Sequence, residues 1–385
     1  MRLPQTDSPP VDSPRQLFDE ASTAGVVRRT GRPTMMRNRQ QLGYALVLIA
    51  LATAPLYLAP YELSLLGRFL ALAILALGVS LIWGTGGMLS LGQGVFFALG
   101  GYALAMHLKL ASADSGSLPD FMQWSGLDKL PWWWEPFRSP GIALAAVFVL
   151  PGLAAALLAF LVFRRRVSGA YFAIITQALA LAAATFVISQ QQYTGGFNGL
   201  TGFGSVFGFS LTDPHTQLGL YWITLGALAV AFLATRLLLD SRFGTLLLAI
   251  RDGENRVRFL GYNPLPFKVI AFAFAGMLAG LSGALVTLDL GVISPAMFGV
   301  VPSIEMVIWV AVGGRASLIG AVLGTLLVNF GKDWISSAFP ELWLYVVGAA
   351  FILVVTLAPT GVVGLAQRWR SLPMLRRSRP PALVE

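Results

Sequence analysis

Gln93 stands between Gly92 and Gly94 inside a long apolar stretch, and its side chain offers one kind of chemistry, hydrogen bonding without charge. Ser90, Thr176, Gln177, Asn198 and Asn329 are of the same kind, neutral hydroxyls and amides within or beside apolar runs. The glycines around Gln93 can unwind a helix and open backbone carbonyls to a water-lined cavity. Gln93 and Gln177 can equally bridge neighbouring helices by hydrogen bonds. Ionisable groups are sparse, and Asp289, Glu305, Lys332 and Asp333 fall near the ends of the runs. They form no chain of carboxylates of the kind a proton- or sodium-coupled carrier uses. Asp289 is expected to be solvated, and Glu305 has Arg315, ten residues on, as its candidate ion-pair partner. His107 and His215 read as ordinary outer-face residues; two histidines and no cysteine leave neither a multi-histidine metal site nor a disulfide. No paired-carboxylate constellation suggests an enzyme. No phosphate-cradling GxxxxGK[ST] loop is present, so ATP and its magnesium would belong to other subunits and this chain holds no cofactor.

The elements that carry these residues are membrane spans. Only 12% of the 385 residues are charged and 56% are hydrophobic, against about a quarter charged in a soluble domain. Apolar runs near 42–60, 65–84, 88–108, 141–163, 170–189, 217–239, 268–290, 304–313, 316–336 and 341–360 approach the roughly 20 residues that cross a hydrocarbon core. The spans near 88–108 and 304–313 are interrupted by glycine or short, so the count lies between eight and ten. The fold class expected is an all-α, polytopic helical bundle over 41–365, with polar tails at 1–40 and 366–385. The first tail lacks a cleavable signal peptide's apolar core.

Lys and Arg outnumber Asp and Glu by 27 to 18, which in a soluble chain would suggest nucleic acid. Here the excess sits between apolar runs, which reads as cytoplasmic-loop charge with no nucleic-acid partner. Basic residues cluster before the first run, at Arg164–Arg166, around 236–268 and in the last 20 residues, whereas 190–216 and 291–303 contain none. Both termini are then cytoplasmic and the span count even. The outer loop 109–140 is rich in aromatics (Phe121, Trp124, Trp132, Trp133, Trp134 and Phe137), as suits an interfacial belt or a docking surface. Gly276 with Gly280, and Gly320 with Gly324, form GxxxG faces for close helix packing.

Between the basic clusters, the inner segment 240–268 alternates apolar and charged positions at helical spacing. Phe243, Leu246, Leu247, Ile250, Val257 and Leu260 make one face; Arg251, Asp252, Glu254, Arg256 and Arg258 lie between them. Gly261 stops the helix, and Pro264 and Pro266 prevent its continuation. Such a helix either docks in a groove of a cytoplasmic ATPase or lies on the inner lipid surface.

Five blocks, in order, resemble permeases of the LivM-type branched-chain amino-acid family. They are SLGQGVFFALGGY (Ser90–Tyr102), YFAIITQALA (Tyr171–Ala180), GGFNGLTGF (Gly195–Phe203), AIRDGENRVRFLGY (Ala249–Tyr262) and the run from Ser303 to Asn329. The likeness covers about 42–365. Within that family, LPDF (Leu118–Phe121), LPWWW (Leu130–Trp134) and FPELWL (Phe339–Leu344) resemble the UrtC-like urea permeases, although Phe197 stands where that group has Asn, and Gly253 where the family favours Ala. The resemblance implies the permease subunit of an ATP-binding-cassette importer in a bacterial inner membrane. It would be paired with a homologous second permease, two cytoplasmic ATPases and an extracytoplasmic solute-binding protein. Urea is the solute it implies, with branched-chain amino acids the alternative and an ATP-independent channel a more distant one. A path for urea would use Ser90, Gln93, Thr176, Gln177, Asn198 and Asn329. Coupling to the ATPases would use Ile250, Arg251, Asp252, Glu254, Arg256, Leu260 and Gly261.

Overall fold

A computed structural model describes residues 47–113, 117–167, 169–206, 208–211 and 213–339, with scattered positions between 341 and 364. Both tails and most of the run expected at 341–360 lie outside the described residues. The chain divides into two units, Met1–Ala52 and Thr53–Glu385. Residues 47–52 of the first are helical. The second contains the helical bundle.

Nine helices organise its described part: α1 Pro60–Val79, α2 Gln93–Ser112, α3 Pro140–Arg164, α4 Ala170–Ser189, α5 Pro214–Asp240, α6 Arg242–Phe259, α7 Pro264–Leu290, α8 Val300–Gly313 and α9 Leu318–Ala338. All but α6 and α8 are long and apolar enough to cross a membrane, α1 together with its π-helical extension Ser80–Thr85. These seven spans establish the polytopic all-α architecture. The shorter apolar helices, Val47–Leu56 and α8, stand where two further runs were expected.

Local sequence sets the helix starts. Proline occupies the first turn of α1, α3, α5 and α7, where its missing N–H costs nothing. Asp213, Ser241, Asn263 and Ser317 cap α5, α6, α7 and α9 through side-chain oxygens that accept backbone N–H groups.

α7 is the central helix, packed on α1, α2 and α3. Its small residues make this possible. Gly276 and Gly280 lie against Pro151 and Val147 of α3, and a β-carbon on Gly283 would overlap the Phe97 carbonyl of α2. Gly313 of α8 meets Gly320 and Gly324 of α9 in the same way. Lipid supplies no hydrophobic drive between helices, so close backbone approach is what holds the bundle together.

The direction of each helix follows from paired contacts. Ser64 near the start of α1 binds Asp289 at the end of α7, and Gly78 near the end of α1 touches Ala275 of α7. α1 and α7 are therefore antiparallel. One end of the bundle carries the start of α1 and the end of α7. The other carries the π-helical turn, α6 and the start of α7. Two-residue ladders, β1 (Leu200–Thr201) with β4 (Val292–Ile293) and β2 (Ser205–Val206) with β3 (Phe209–Ser210), tie the connections together.

Candidate functional site

α2 does not begin where its apolar run begins. Residues 88–92 are non-helical and the helix starts at Gln93. A β-carbon on Gly87 would lie 2.6 Å from Arg251 Cγ of α6, at one end of the bundle. Seven residues later, one on Gly94 would lie 2.7 Å from the Met297 carbonyl, in the connection that leaves α7 at the opposite end. The extended segment thus climbs into the bundle before α2 starts.

The connection 291–299 descends to meet it. Its β4 strand pairs with Leu200 and Thr201, and a β-carbon on Gly199 would overlap the Ile293 carbonyl. Gly195, Gly196, Gly199 and Gly202 all have positive φ, so the glycine-rich loop before β1 owes its composition to backbone shape and close approach. Phe197 within it is exposed. After the short helical turn Pro295–Phe298, α8 runs to Gly313, and Arg315 just beyond touches the π-helical turn: Ser80 Oγ donates to the Arg315 carbonyl at 3.1 Å. α8 is 14 residues long, about 21 Å, and covers only part of the bundle's depth.

α2 and α8 therefore both begin inside the bundle and run to opposite ends. Their first turns meet at Ser303, whose hydroxyl accepts the Gly94 N–H at 3.1 Å and donates to the Gly299 carbonyl at 3.0 Å. Thr176 of α4 closes the junction, accepting the Leu91 N–H at 2.9 Å and donating to the Ala173 carbonyl. A β-carbon on Gly92 would overlap the Thr176 carbonyl. Ser90 is buried and accepts the Gly92 N–H. Gln93 is 1% exposed and its side-chain nitrogen has no hydrogen-bond partner among the described residues. Irregular backbone at this depth survives only inside protein or along a cavity, and discontinuous helices of this kind mark solute sites in transport proteins.

Of the six residues expected along a pathway, Ser90, Gln93 and Thr176 meet at this junction. Gln177 is half-buried beside Thr176, and Asn198 is exposed on the glycine-rich loop. Asn329 is buried but donates to the Thr325 carbonyl of its own helix at 2.8 Å. Ser303 is the residue that sequence reasoning missed; its signal is a hydroxyl one turn after the Gly299–Pro302 helix start.

Three other expectations change. Asp289 is not simply solvated: it accepts from Arg68 Nε at 2.8 Å and Ser64 Oγ at 2.7 Å. Glu305 pairs with Lys332 of α9 at 2.9 Å, while Arg315 lies over the Trp83 ring at 5.7 Å. His107 is buried and Nδ1 is 2.8 Å from the Phe137 carbonyl, which makes that nitrogen the donor. In the aromatic loop, Trp124 and Trp132 are exposed but Trp134 packs inward on Phe137.

The segment expected to couple to partners is helix α6, bent at Gly253 (φ −174°, ψ 74°) and ended by Gly261 with φ +85°. Leu247, Ile250 and Val257 are buried, while Arg256, Phe259, Leu260 and Tyr262 are exposed. Two anchors join α6 to the bundle. Arg251 Nη1 donates to the Gly84 carbonyl at 2.6 Å and its Nε to Asp252 at 2.9 Å. Glu254 accepts from Arg258 at 2.7 Å and from the buried Lys268 of α7 at 2.5 Å. Partial burial pushes the Glu254 carboxyl up, but the hydrogen bonds from Lys268 and Arg258 outweigh it and hold the group below the usual carboxylate range.

Residues 62–355 match the family described as branched-chain amino acid transport system / permease component. The chain belongs to that family. It is similar to the high-affinity branched-chain amino acid transport system permease protein LivM of Escherichia coli, 25% identical over 316 residues, 76% of this chain and 68% of that one. It is also similar to BraD, the corresponding protein of Pseudomonas aeruginosa, 23% identical over 76% of this chain and 91% of the relative. The ribose import permease protein RbsC of E. coli is 27% identical over 49% of this chain and 59% of its own length. No solved structure matches.

Proposed function

We propose that the chain is the membrane-spanning subunit of an ATP-binding-cassette importer for branched-chain amino acids. The observation that carries the reading is the match of the family model to 62–355, with relatives named for branched-chain amino acid transport. These names move the substrate from urea, which the aromatic loop had suggested, to the amino-acid alternative. The geometry supports a permease: two helices interrupted at the centre of the bundle supply a solute site, and α6 supplies an attachment for a motor. A homologous permease, two ATPases and a solute-binding protein complete the machine in a bacterial inner membrane, with both termini cytoplasmic. ATP is bound and hydrolysed on the partners.

The test is uptake of labelled leucine and labelled urea in cells lacking their own systems, with and without the partner ATPases. Leucine uptake that depends on the ATPases is expected. Urea uptake without leucine uptake overturns the substrate, and flux without the ATPases overturns the mechanism.

A further inference from the structure

The positive ends of α2 and α8 face one another at the junction. Each helix concentrates roughly half a positive charge at its start. α2 runs from Gln93 toward one end of the bundle and α8 from Val300 toward the other, so both starts lie inward, joined through Ser303. Neither first turn carries a carboxylate. Glu305, the nearest in sequence, is turned to α9 and held by Lys332. Two like partial charges buried together are costly unless an anion lies between them.

A second observation points to the same place. Gln93 is the first residue of α2, and helical side chains lean toward the helix N-terminus. Its amide therefore leans over the end of the helix, into the junction, 1% exposed and with its nitrogen unpartnered. An unpaired buried donor in a neutral hydrogen-bonding set is expensive to keep, and together with the helix ends it specifies an acceptor that carries negative charge.

We propose that this junction is the carboxylate subsite of the translocated solute. A free α-carboxylate would be received between the starts of α2 and α8, with the Gln93 amide as its side-chain donor and Ser303 holding the two starts together. The subsite rests on the amino-acid reading above, because urea carries no anionic group. It also supplies what a zwitterionic solute needs and the sequence did not reveal: helix N-termini in the pathway.

The experiment uses the complete transporter in liposomes with its ATPases and binding protein, and follows labelled leucine uptake against leucine and pH. Gln93→Glu places a competing carboxylate at the junction. It is expected to raise the KM for leucine at least tenfold at pH 7.5, with the increase shrinking as the pH is lowered and the new carboxyl protonates. Gln93→Leu, which removes the donor, and Ser303→Ala, which removes the hydroxyl that joins the two helix starts, add no charge and should raise KM by a smaller factor that does not depend on pH. If Gln93→Glu fails to co-purify with its partners, these two variants decide. A KM equal to that of the unsubstituted protein in both, or in Gln93→Glu at every pH, overturns the subsite while leaving the amino-acid reading intact. Absence of leucine uptake by the unsubstituted transporter overturns the reading itself.

Discussion

Lys268 leaves the first turns of α7 to reach Glu254 on α6, 2.5 Å away, while its ammonium lies 5.0 Å from the centre of the Phe163 ring on α3. One buried amine thus ties the amphipathic helix to the central helix and to a third. Arg258 completes the set on the other Glu254 oxygen.

Removing the carboxylate leaves the buried Lys268 ammonium without a counter-charge, so Glu254→Gln is expected to destabilise the protein by about 1–3 kcal/mol. Arg258→Gln should cost less, since Glu254 keeps Lys268 as partner. Melting temperatures of the purified variants in detergent check the order. The pH dependence has a definite sign. Glu254 has a lowered pKa in the folded protein, so its contribution is complete above the unfolded carboxylate value and disappears as the pH falls through the lower folded value. Titration between neutral pH and mild acid should leave this contribution unchanged.

Arg251 makes the other anchor, from α6 to the Gly84 carbonyl in the π-helical turn. Arg251→Met keeps the stem and removes the bond. If α6 carries motion from the ATPases, the variant should assemble with its partners yet transport several-fold fewer solutes per ATP hydrolysed. A transport-to-hydrolysis ratio equal to that of the unsubstituted protein would show that this bond carries no coupling.

Glycines in the bundle should differ sharply. A β-carbon on Gly283 would overlap backbone of α2, whereas one on Gly331 of α9 meets nothing within 4 Å. Gly283→Ala must therefore push α2 and α7 apart and is expected to abolish accumulation of folded protein. Gly331→Ala should be tolerated and add up to about 1 kcal/mol of helix stability. Expression and monodispersity of the two variants in one detergent give the comparison.

Asp120 and Lys109 pin the connection between α2 and α3. Lys109 Nζ is 3.0 Å from Asp120 and 2.9 Å from the Thr201 carbonyl. The hydrogen bond from Lys109 holds the exposed Asp120 carboxyl below the usual range. Lys109→Met releases both partners, while Asp120→Asn releases only one. Proteolysis of the 113–139 connection is expected to quicken more in the lysine variant.

Much of this protein is legible along the chain. Spans of α3, α4, α5 and α7 lie where continuous apolar runs put them, because in lipid a helix is the only way to satisfy backbone polar groups within one segment. The amphipathic pattern within 240–268 and the stop at Gly261 predicted α6, whereas its bend at Gly253 emerged only in the structure. The glycines flanking Gln93 marked unusual backbone but not its partners, and 195–203 was legible only as one of the family-like blocks. The partners are long-range: Gly92 with Thr176, Gly94 with Ser303, Gly199 with Ile293. Ion pairs fared the same way. Glu305 selected Lys332, 27 residues on, over Arg315, and Asp289 selected Arg68, because packing rather than sequence distance brings charges together.

Composition, run length and charge bias by themselves determined a many-span helical membrane protein with an amphipathic connecting helix, and the ordered glycine-rich blocks pointed to its family. Only the tertiary structure decided that Gln93 begins a helix inside the bundle opposite the start of α8. Periodicity reports which residues face apolar surroundings; it does not report where along the membrane normal a helix starts. That depth is set when extended segments from opposite ends meet, and at that meeting point two neutral stretches of sequence become a positive one.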